Sequence, residues 1–467
     1  MKDVVVLIPG IGGSALSLRG KPIWDFSAGA FLRGVLSLGD SINRLKLVDD
    51  APDVDDLGDG VVATRLLPDL HLVPGLDWKI DGYAHIADRL TRDFGCVPGK
   101  NYFELPYDWR RDNRVAARKL ARSAHDWLRR WRETSGNSDA KLIIIGHSMG
   151  GMIARLFLEQ LDGWRDTKSL ITFGTPYSGS VKAIDFLANG FRKSLGPFTV
   201  DISDTLRTFT SVYQLLPSYR CVSAPGGWRP LDQVDWTGTA VDAERVSAAM
   251  TLQRELRAQV DARRASGQAG YVIHSIVGDY QRTLWSVRAN GGVLTTSALR
   301  DLEESGGDGT VPKVSAIPHE FLADRTNVVY FSQSHASLQN DEYVLDHVGG
   351  VLGELPTNVE HLFPAPDTAV AVEVADAVAP EPLVVRAQCA AFPDRLVVEL
   401  TGLADGSTTT APLQLDADGW STASFEGLVA QDYRVTVKGP QPAHPVTTVA
   451  SVVDLQQMVQ GAVPGRF

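Results

Sequence analysis

Lys141-Leu-Ile-Ile-Ile-Gly-His-Ser148-Met-Gly-Gly151 is the stretch from which the fold of this 467-residue chain is read. Leu142 to Ile145 form an apolar, largely β-branched run that predicts a buried strand. Gly146-His147-Ser148-Met149-Gly150 fits G-x-S-x-G, and Met152 to Leu158 continue at helical spacing. Strand, tight turn and helix together predict a nucleophile elbow with Ser148 at its tip. Side chains at 146 and 150 would collide with the neighbouring strand and helix. The helix N-terminus aims free N–H groups at developing negative charge.

Working outward, Val4 to Ile8 is predicted as a central strand ending in Pro9-Gly10-Ile11-Gly12-Gly13-Ser14. A glycine-rich loop after an early strand is where serine hydrolases of this build take the second oxyanion donor. The expected hole pairs the N–H of Ile11 with that of Met149. The rival reading of this loop, a phosphate cradle, lacks both the following Lys-Ser/Thr and the G-x-G-x-x-G spacing.

Further helices are predicted from about Tyr83 to Phe94, from Arg114 to about Trp131, from about Asp242 to Ala265 and from about Asp341 to Leu352. Further strands are predicted at Ser169–Phe173, Tyr271–Val277 and Asn327–Phe331. Strands interleaved with helices indicate a mostly parallel sheet, an α/β-hydrolase fold. Almost a hundred residues separate Phe173, the end of one of these strands, from Tyr271, the start of the next. That is too long for a loop, so a mostly helical lid over about 181–268 is expected. Asp49-Asp50-Ala-Pro-Asp53-Val-Asp55-Asp56 lacks the glycine and distal glutamate of a calcium loop and is expected as a solvated turn. The Arg and Lys residues of the 114–131 helix are expected on its solvated side.

Beyond Pro364 the composition changes. Short alternating runs between turn residues predict a small C-terminal β-sandwich of the immunoglobulin or fibronectin kind. The expected domains are a hydrolase domain over 1–362, a linker over 363–382 and the sandwich over 383–467. No catalytic constellation falls in the sandwich, which is expected to pack or to bind a protein partner.

A serine at an elbow needs a base and an acid further along the chain. His335, in a polar loop just past the last core strand, fits the base; His319, His347 and His361 lack that position. The residues alone leave the acid open between Asp279, directly after a strand, and Asp308, in a glycine-flanked loop. His147 is expected to pack or hydrogen-bond within the sheet.

Composition bounds the rest. The hydrophobic share of 44% and charged share of 22% are those of an ordinary globular protein, and the net charge of −11 argues against nucleic acid. Cys96, Cys221 and Cys389 match no metal spacing, and the N-terminus enters a strand at once, so a cytoplasmic protein without signal peptide is expected. No metal or cofactor is expected, since a Ser-Asp-His triad needs neither.

Five collinear motifs then carry a resemblance: Pro9-Gly10 with Gly13, Glu104-Leu-Pro-Tyr-Asp-Trp-Arg110, the elbow, Gly174-Thr-Pro-Tyr-Ser-Gly-Ser180 and Gly307-Asp-Gly-Thr-Val-Pro312. Over residues 1 to about 350 the chain resembles the lecithin:cholesterol acyltransferase family, in the manner of an intracellular bacterial member. The resemblance implies that Asp308 is the acid, His335 the base and Ile11 the first oxyanion donor. It also implies acyl-ester chemistry on lipids through an acyl-enzyme at Ser148, with water or an alcohol as acceptor. The partner it implies is a lipid-ester substrate; transient contact with a membrane surface is expected separately, through the lid. The rival reading is a scaffold protein whose sandwich does the work.

Overall fold

The computed structural model describes residues 1–25, 44–68, 70–72, 79–195, 198–268, 270–290, 293–301, 303–304, 306–323, 325, 327–353 and 366–454. His361 and part of the expected linker lie outside them. The central sheet has six strands: β1 (Val4–Ile8), β2 (Tyr102–Glu104), β3 (Leu142–His147), β4 (Thr167–Phe173), β5 (Val272–Gly278) and β6 (Val328–Phe331). Their order is β6-β5-β4-β3-β1-β2, and every pairing is parallel.

Helices α1 (Ala84–Phe94), α2 (Asn113–Ser135), α3 (Met149–Gln160), α4 (Val181–Ala188), α5 (Ala243–Ala265) and α6 (Glu342–Gly353) surround it. Successive strand residues point to opposite faces. Val4, Val6, Ile8, Leu142 and Ile144 therefore pack with Leu120 and Leu128 of α2 and Ile153 and Phe157 of α3. Val5, Leu7, Ile143 and Ile145 pack instead with Ile86 and Leu90 of α1 and Val344 and Val348 of α6. Burial on both faces explains why β1 and β3 read as unbroken apolar runs. The result is an α/β-hydrolase fold.

Four expectations differ from what is found. The insertion after β4 is mixed, not mostly helical: besides α4 and α5 it holds an antiparallel pair, Arg192–Leu195 with Phe198–Asp201. It also holds Val222–Ala224 and Gly227–Arg229, which join Ser286–Asn290 and Val293–Ser297 in a four-stranded sheet. A segment beyond β5 thus completes the cap. The stretch expected as linker contributes two strands, Ala371–Val374 and Ala377–Val378, to the C-terminal sheets. The acidic run is not simply a solvated turn, because Asp50 is buried against Arg111 at 2.9 Å and Asp55 accepts from Arg118 and Arg122 at 2.9 and 2.7 Å. Part of the basic face of α2 is correspondingly paired with this run, while Arg122, Arg129 and Arg130 stay exposed on the solvated side.

The C-terminal unit is a β-sandwich. One sheet runs in the order Ala371–Val374, Leu383–Gln388, Ser421–Phe425, Gln414–Leu415. The other runs Ala377–Val378, Val446–Val453, Asp432–Lys438, Val397–Gly402, Thr408–Pro412. Val385, Phe425, Val398, Leu400, Val435 and Val446 meet in its core.

The sandwich is docked on the loop that follows β6. Ser332 Oγ donates to Val370 O at 2.8 Å, and Thr447 N donates to Gln333 Oε1 at 3.0 Å. Ser334 Oγ donates to Thr447 O at 2.5 Å, and Gln281 bridges to Val370 O and Val372 N at 2.9 and 3.0 Å. Tyr343 of α6 stacks on His444 at 4.5 Å, and Arg434 reaches the buried Asp81 at 2.7 Å.

Candidate active site

Ser148 stands between β3 and α3 with φ +52° and ψ −124°, a region that costs a non-glycine residue about 1–3 kcal/mol. The turn is held from both sides, with Ser148 N donating to Phe173 O at 2.8 Å and Thr175 Oγ1 donating to Ser148 O at 3.0 Å. Gly150 has no side chain because a Cβ there would stand on the carbonyl oxygens of Ile8 and Pro9, the latter at 2.6 Å. The crossing of α3 over β1 therefore fixes the elbow.

His335 Nε2 lies 3.0 Å from Ser148 Oγ, and His335 Nδ1 lies 2.7 Å from Asp308 Oδ2. The other oxygen of Asp308 accepts from Thr310 N and Val311 N at 2.9 and 2.7 Å, and His335 N donates to Asp308 O at 2.8 Å. The carboxylate is thereby held against the Nδ1 edge of the imidazole. Asp279, the other candidate acid, turns to Lys313 at 3.1 Å and to Tyr280 N at 2.8 Å. Burial raises its pKa, partly offset by the Tyr280 amide and Lys313. Of the two carboxylates, Asp308 is the one brought to His335.

Gly174 has φ +52°, and a Cβ on it would lie 2.6 Å from Asp308 Oδ2 and 3.0 Å from His335 Nδ1. The first residue of the Gly-Thr-Pro-Tyr-Ser-Gly-Ser motif thus vacates the space in which the pair meets.

The N–H groups of Ile11 and Met149 have no acceptor among the described residues. Ile11 lines the pocket above Ser148, while Met149 is buried at the first position of α3. The Tyr-Asp-Trp-Arg motif braces the loop that carries Ile11. Tyr107 Oη donates to Pro9 O at 2.9 Å, Trp109 Nε1 donates to Ser14 O at 3.0 Å, and Arg110 is fully buried between Asp108 and Asp59.

His147 does hydrogen-bond, and one of its partners was not legible in the sequence. Gly10 N donates to Tyr83 Oη at 2.8 Å, leaving that hydroxyl to donate to His147 Nδ1 at 2.8 Å. His147 Nε2–H then donates to His335 O at 3.1 Å. Burial, and then the nearby His335, hold the His147 pKa down to about 3, so its ring stays neutral. A buried chain therefore ties the Gly10 loop to the backbone of His335. Tyr83 stands just before α1, and no motif marks it.

Over Ser148 opens a pocket walled by Ile11, Ala183, Phe186, Leu206, Val212 and Leu215, all apolar. A second, more polar cleft meets it at His335 and Thr310 and runs to the sandwich. His319 pairs with Asp261 at 2.8 Å, away from this centre. Among the described residues no cluster of three or more His, Cys, Asp or Glu side chains could hold a metal ion, and no helix is long and apolar enough to cross a membrane.

A parallel sheet with a serine at its elbow, a histidine past its last strand and a carboxylate behind that histidine defines the chain as an α/β-hydrolase. The family model for lecithin:cholesterol acyltransferase matches residues 45–284, and the chain belongs to that family. The elbow falls inside the matched span; Asp308 and His335 fall beyond it. Phosphatidylcholine-sterol acyltransferase of Gallus gallus is 30% identical over 115 residues, covering 24% of this chain and 27% of that protein. The Mus musculus protein of the same name is 27% identical over 165 residues, covering 34% of each. The matches thus span about a quarter to a third of the length of these relatives. Among solved structures, the chain is similar to one of the Tle4–Tli4 complex, with 15% identity and a TM-score of 0.49 over 75% of this chain and 98% of that one. It is also similar to the propeptide form of Bacillus licheniformis lipase BlEst2, with 14% identity and a TM-score of 0.33 over 94% and 75%. At these scores the fold class rests on the sheet itself.

Proposed function

We propose that the protein is a serine esterase or acyltransferase that acts on lipid esters through an acyl-enzyme at Ser148. The observation that carries this reading is the unbroken chain Ser148 Oγ, His335 Nε2, His335 Nδ1, Asp308 Oδ2, at 3.0 and 2.7 Å, at the floor of an apolar pocket. Asp308 accepts from Nδ1–H and so leaves Nε2 unprotonated, ready to take the serine proton. Oγ attacks the ester carbonyl carbon, and the oxygen that gains charge turns to the amides of Ile11 and Met149. On collapse the C–O bond to the alcohol breaks, and the alcohol leaves with the proton carried by His335. Water or a second alcohol then gives its proton to His335 and attacks the acyl-enzyme, which restores Ser148.

The apolar pocket suits the acyl chain, and family membership supports lipid esters as the substrate class. The cap over the pocket is the part of the molecule we expect to meet a lipid surface. The test is intact-mass labelling with a fluorophosphonate, wild type against Ser148→Ala. One adduct is expected, lost in the variant and accompanied by loss of turnover on phospholipid and acylglycerol esters. An adduct that persists in Ser148→Ala, or a folded wild type inert even with lipid vesicles, overturns the proposal in favour of a scaffold.

A further inference from the structure

We propose that Tyr83 and His147 are positioning residues that hold the two halves of the reacting centre, the oxyanion loop and the histidine loop, at one fixed separation. The inference rests on the ester-cleavage reading above and adds to it two residues that act through others. The reaction needs that separation, because charge grows on the carbonyl oxygen and on the His335 ring in the same step.

The oxyanion half depends on Tyr83 for its orientation. The peptide before the Ile11 amide, Pro9–Gly10, is bonded at both ends by tyrosines. Tyr107 Oη donates to its carbonyl at 2.9 Å, and its N–H donates to Tyr83 Oη at 2.8 Å. With that plane held, the direction of the Ile11 N–H is set by the two dihedrals of Gly10 alone. Gly10 itself supplies no steric guide. A Cβ on it would stand 2.9 Å from Ser148 Cβ and 3.3 Å from His147 Nδ1. The close approach thus demands the most permissive residue at the place where direction matters most, and the two tyrosines restore the lost restriction. Gly13 makes the room, since a Cβ there would lie 2.9 Å from Tyr83 Oη.

The histidine half is gripped by the same residues along two paths. Through the side chains, the Tyr83 hydroxyl donates to His147 Nδ1 at 2.8 Å, and His147 Nε2–H donates to His335 O at 3.1 Å. Through the backbone, Asp81 N donates to Ala336 O at 3.1 Å, and Gln339 Nε2 donates to Gly82 O and Ala336 O at 2.9 Å each. Arg434 of the sandwich fixes this segment from outside by its pair with Asp81 at 2.7 Å. Tyr83 and His147 are both buried, and burial keeps the hydroxyl protonated and the ring neutral. Each donor in the side-chain path therefore has one acceptor, which fixes the direction of every bond in it.

The test measures p-nitrophenyl butyrate turnover, inhibition by butylboronic acid and the rate of fluorophosphonate labelling, all on the full chain. Ser148 Oγ adds to boron as its proton passes to His335, and a hydroxyl oxygen on the tetrahedral boron stands where the oxyanion would. The affinity for the boronic acid therefore reads the oxyanion site. Tyr83→Phe is expected to lower kcat and the labelling rate about tenfold and to weaken butylboronic acid by about the same factor, with KM within about twofold. His147→Leu is expected to do the same, and the two together to lose little more than either alone, because each opens the one chain. His147→Gln, whose amide offers one acceptor and one donor, is expected to recover most of what His147→Leu loses, and it serves if Tyr83→Phe does not fold. Full kcat in a folded Tyr83→Phe, a lower kcat with boronic-acid affinity intact, losses that multiply, or a His147→Gln no better than His147→Leu overturns the proposal. A wild type that the fluorophosphonate does not label breaks the ester-cleavage reading and this inference with it. A labelled wild type with unmoved variants breaks only the inference.

Discussion

The two sides of the reacting centre are built in opposite ways. On the serine side, what fixes the hydroxyl belongs to one parallel sheet: the ends of β3 and β4, Thr175 just beyond β4, the first turn of α3 and the loop after β1. On the histidine side, the loop beyond β6 is hydrogen-bonded to its following helix, among the described residues, only through Gln333 and Asp341, at 2.8 Å. It is held otherwise by the Asp308 backbone, by His147 at the carbonyl of His335 and, at Ser332, Gln333 and Ser334, by a sandwich whose strands begin at Ala371 and reach Val453. The difference teaches that a strained turn can be stabilised by its own immediate flanks, whereas an unsupported loop needs a second body to limit its motion. A histidine 1 Å out of line would forfeit much of the rate.

Substitutions can break this comparison. The largest effect after loss of Ser148 itself is expected for Asp308→Asn, on the order of 10⁴ in kcat, because the amide no longer selects the productive tautomer. Asp279→Asn is the matched control and should leave kcat near wild type; the opposite pattern in steady-state kinetics would exchange the two roles. Gly174→Ala comes next. Its Cβ would press on both Asp308 Oδ2 and His335 Nδ1, so a loss of about 10²-fold in kcat is expected, with KM little changed. Gln333→Leu removes the bonds to Thr447 N and Asp341 and should lower kcat about tenfold, together with the rate of fluorophosphonate labelling. Full labelling speed in a folded Gln333→Leu would mean that the sandwich merely rests on the loop.

The same contrast explains what the sequence made legible. β1 and β3 declare themselves as apolar runs because the sheet buries both of their faces, and the elbow glycines are demanded by contacts only a few residues away. Nothing local separates Asp279 from Asp308. The choice is made where Gly278, whose added Cβ would lie 2.5 Å from Asp308 Cβ, lets the later loop slide in beside β5. The cap strand Ser286–Asn290 was missed because its outer residues, Arg288 to Asn290, are exposed at the cap surface and blur the alternation. Ala371–Val374 lies at a sheet edge and is half-buried throughout, so it carries too weak a pattern to stand out from a linker. Tyr83 acts through one hydroxyl across 64 residues, a relation that no spacing rule records.

The smallest expected effect is one of pH, and it sets the two bodies against each other. On the hydrolase side, burial and then the neighbouring His347 hold His274 of β5 down to about 4, from an ordinary 6.5. The unfolded chain therefore binds more protons than the native one in that interval, and His274 costs stability as pH falls from about 6.5 toward 4. In the sandwich, burial and the like charge of Asp376 raise Asp432 to about 6 against an ordinary 3.8, with Ser451 Oγ donating to it at 2.6 Å in partial compensation. Here the native state binds the proton more tightly. The contribution of Asp432 to stability is fully present below about 3.8 and is lost as pH rises through 6. Asp432→Asn keeps an oxygen for Ser451 and removes the buried charge. It should stabilise the sandwich by on the order of 2 kcal/mol near pH 8 and by much less near pH 4. His274→Gln should instead gain on wild type toward acid. Denaturant midpoints for both variants between about pH 8 and pH 4 check the pair of slopes. If both variants drift in the same direction relative to wild type, one of the two groups does not titrate as its burial requires, and the variant with the wrong slope says which.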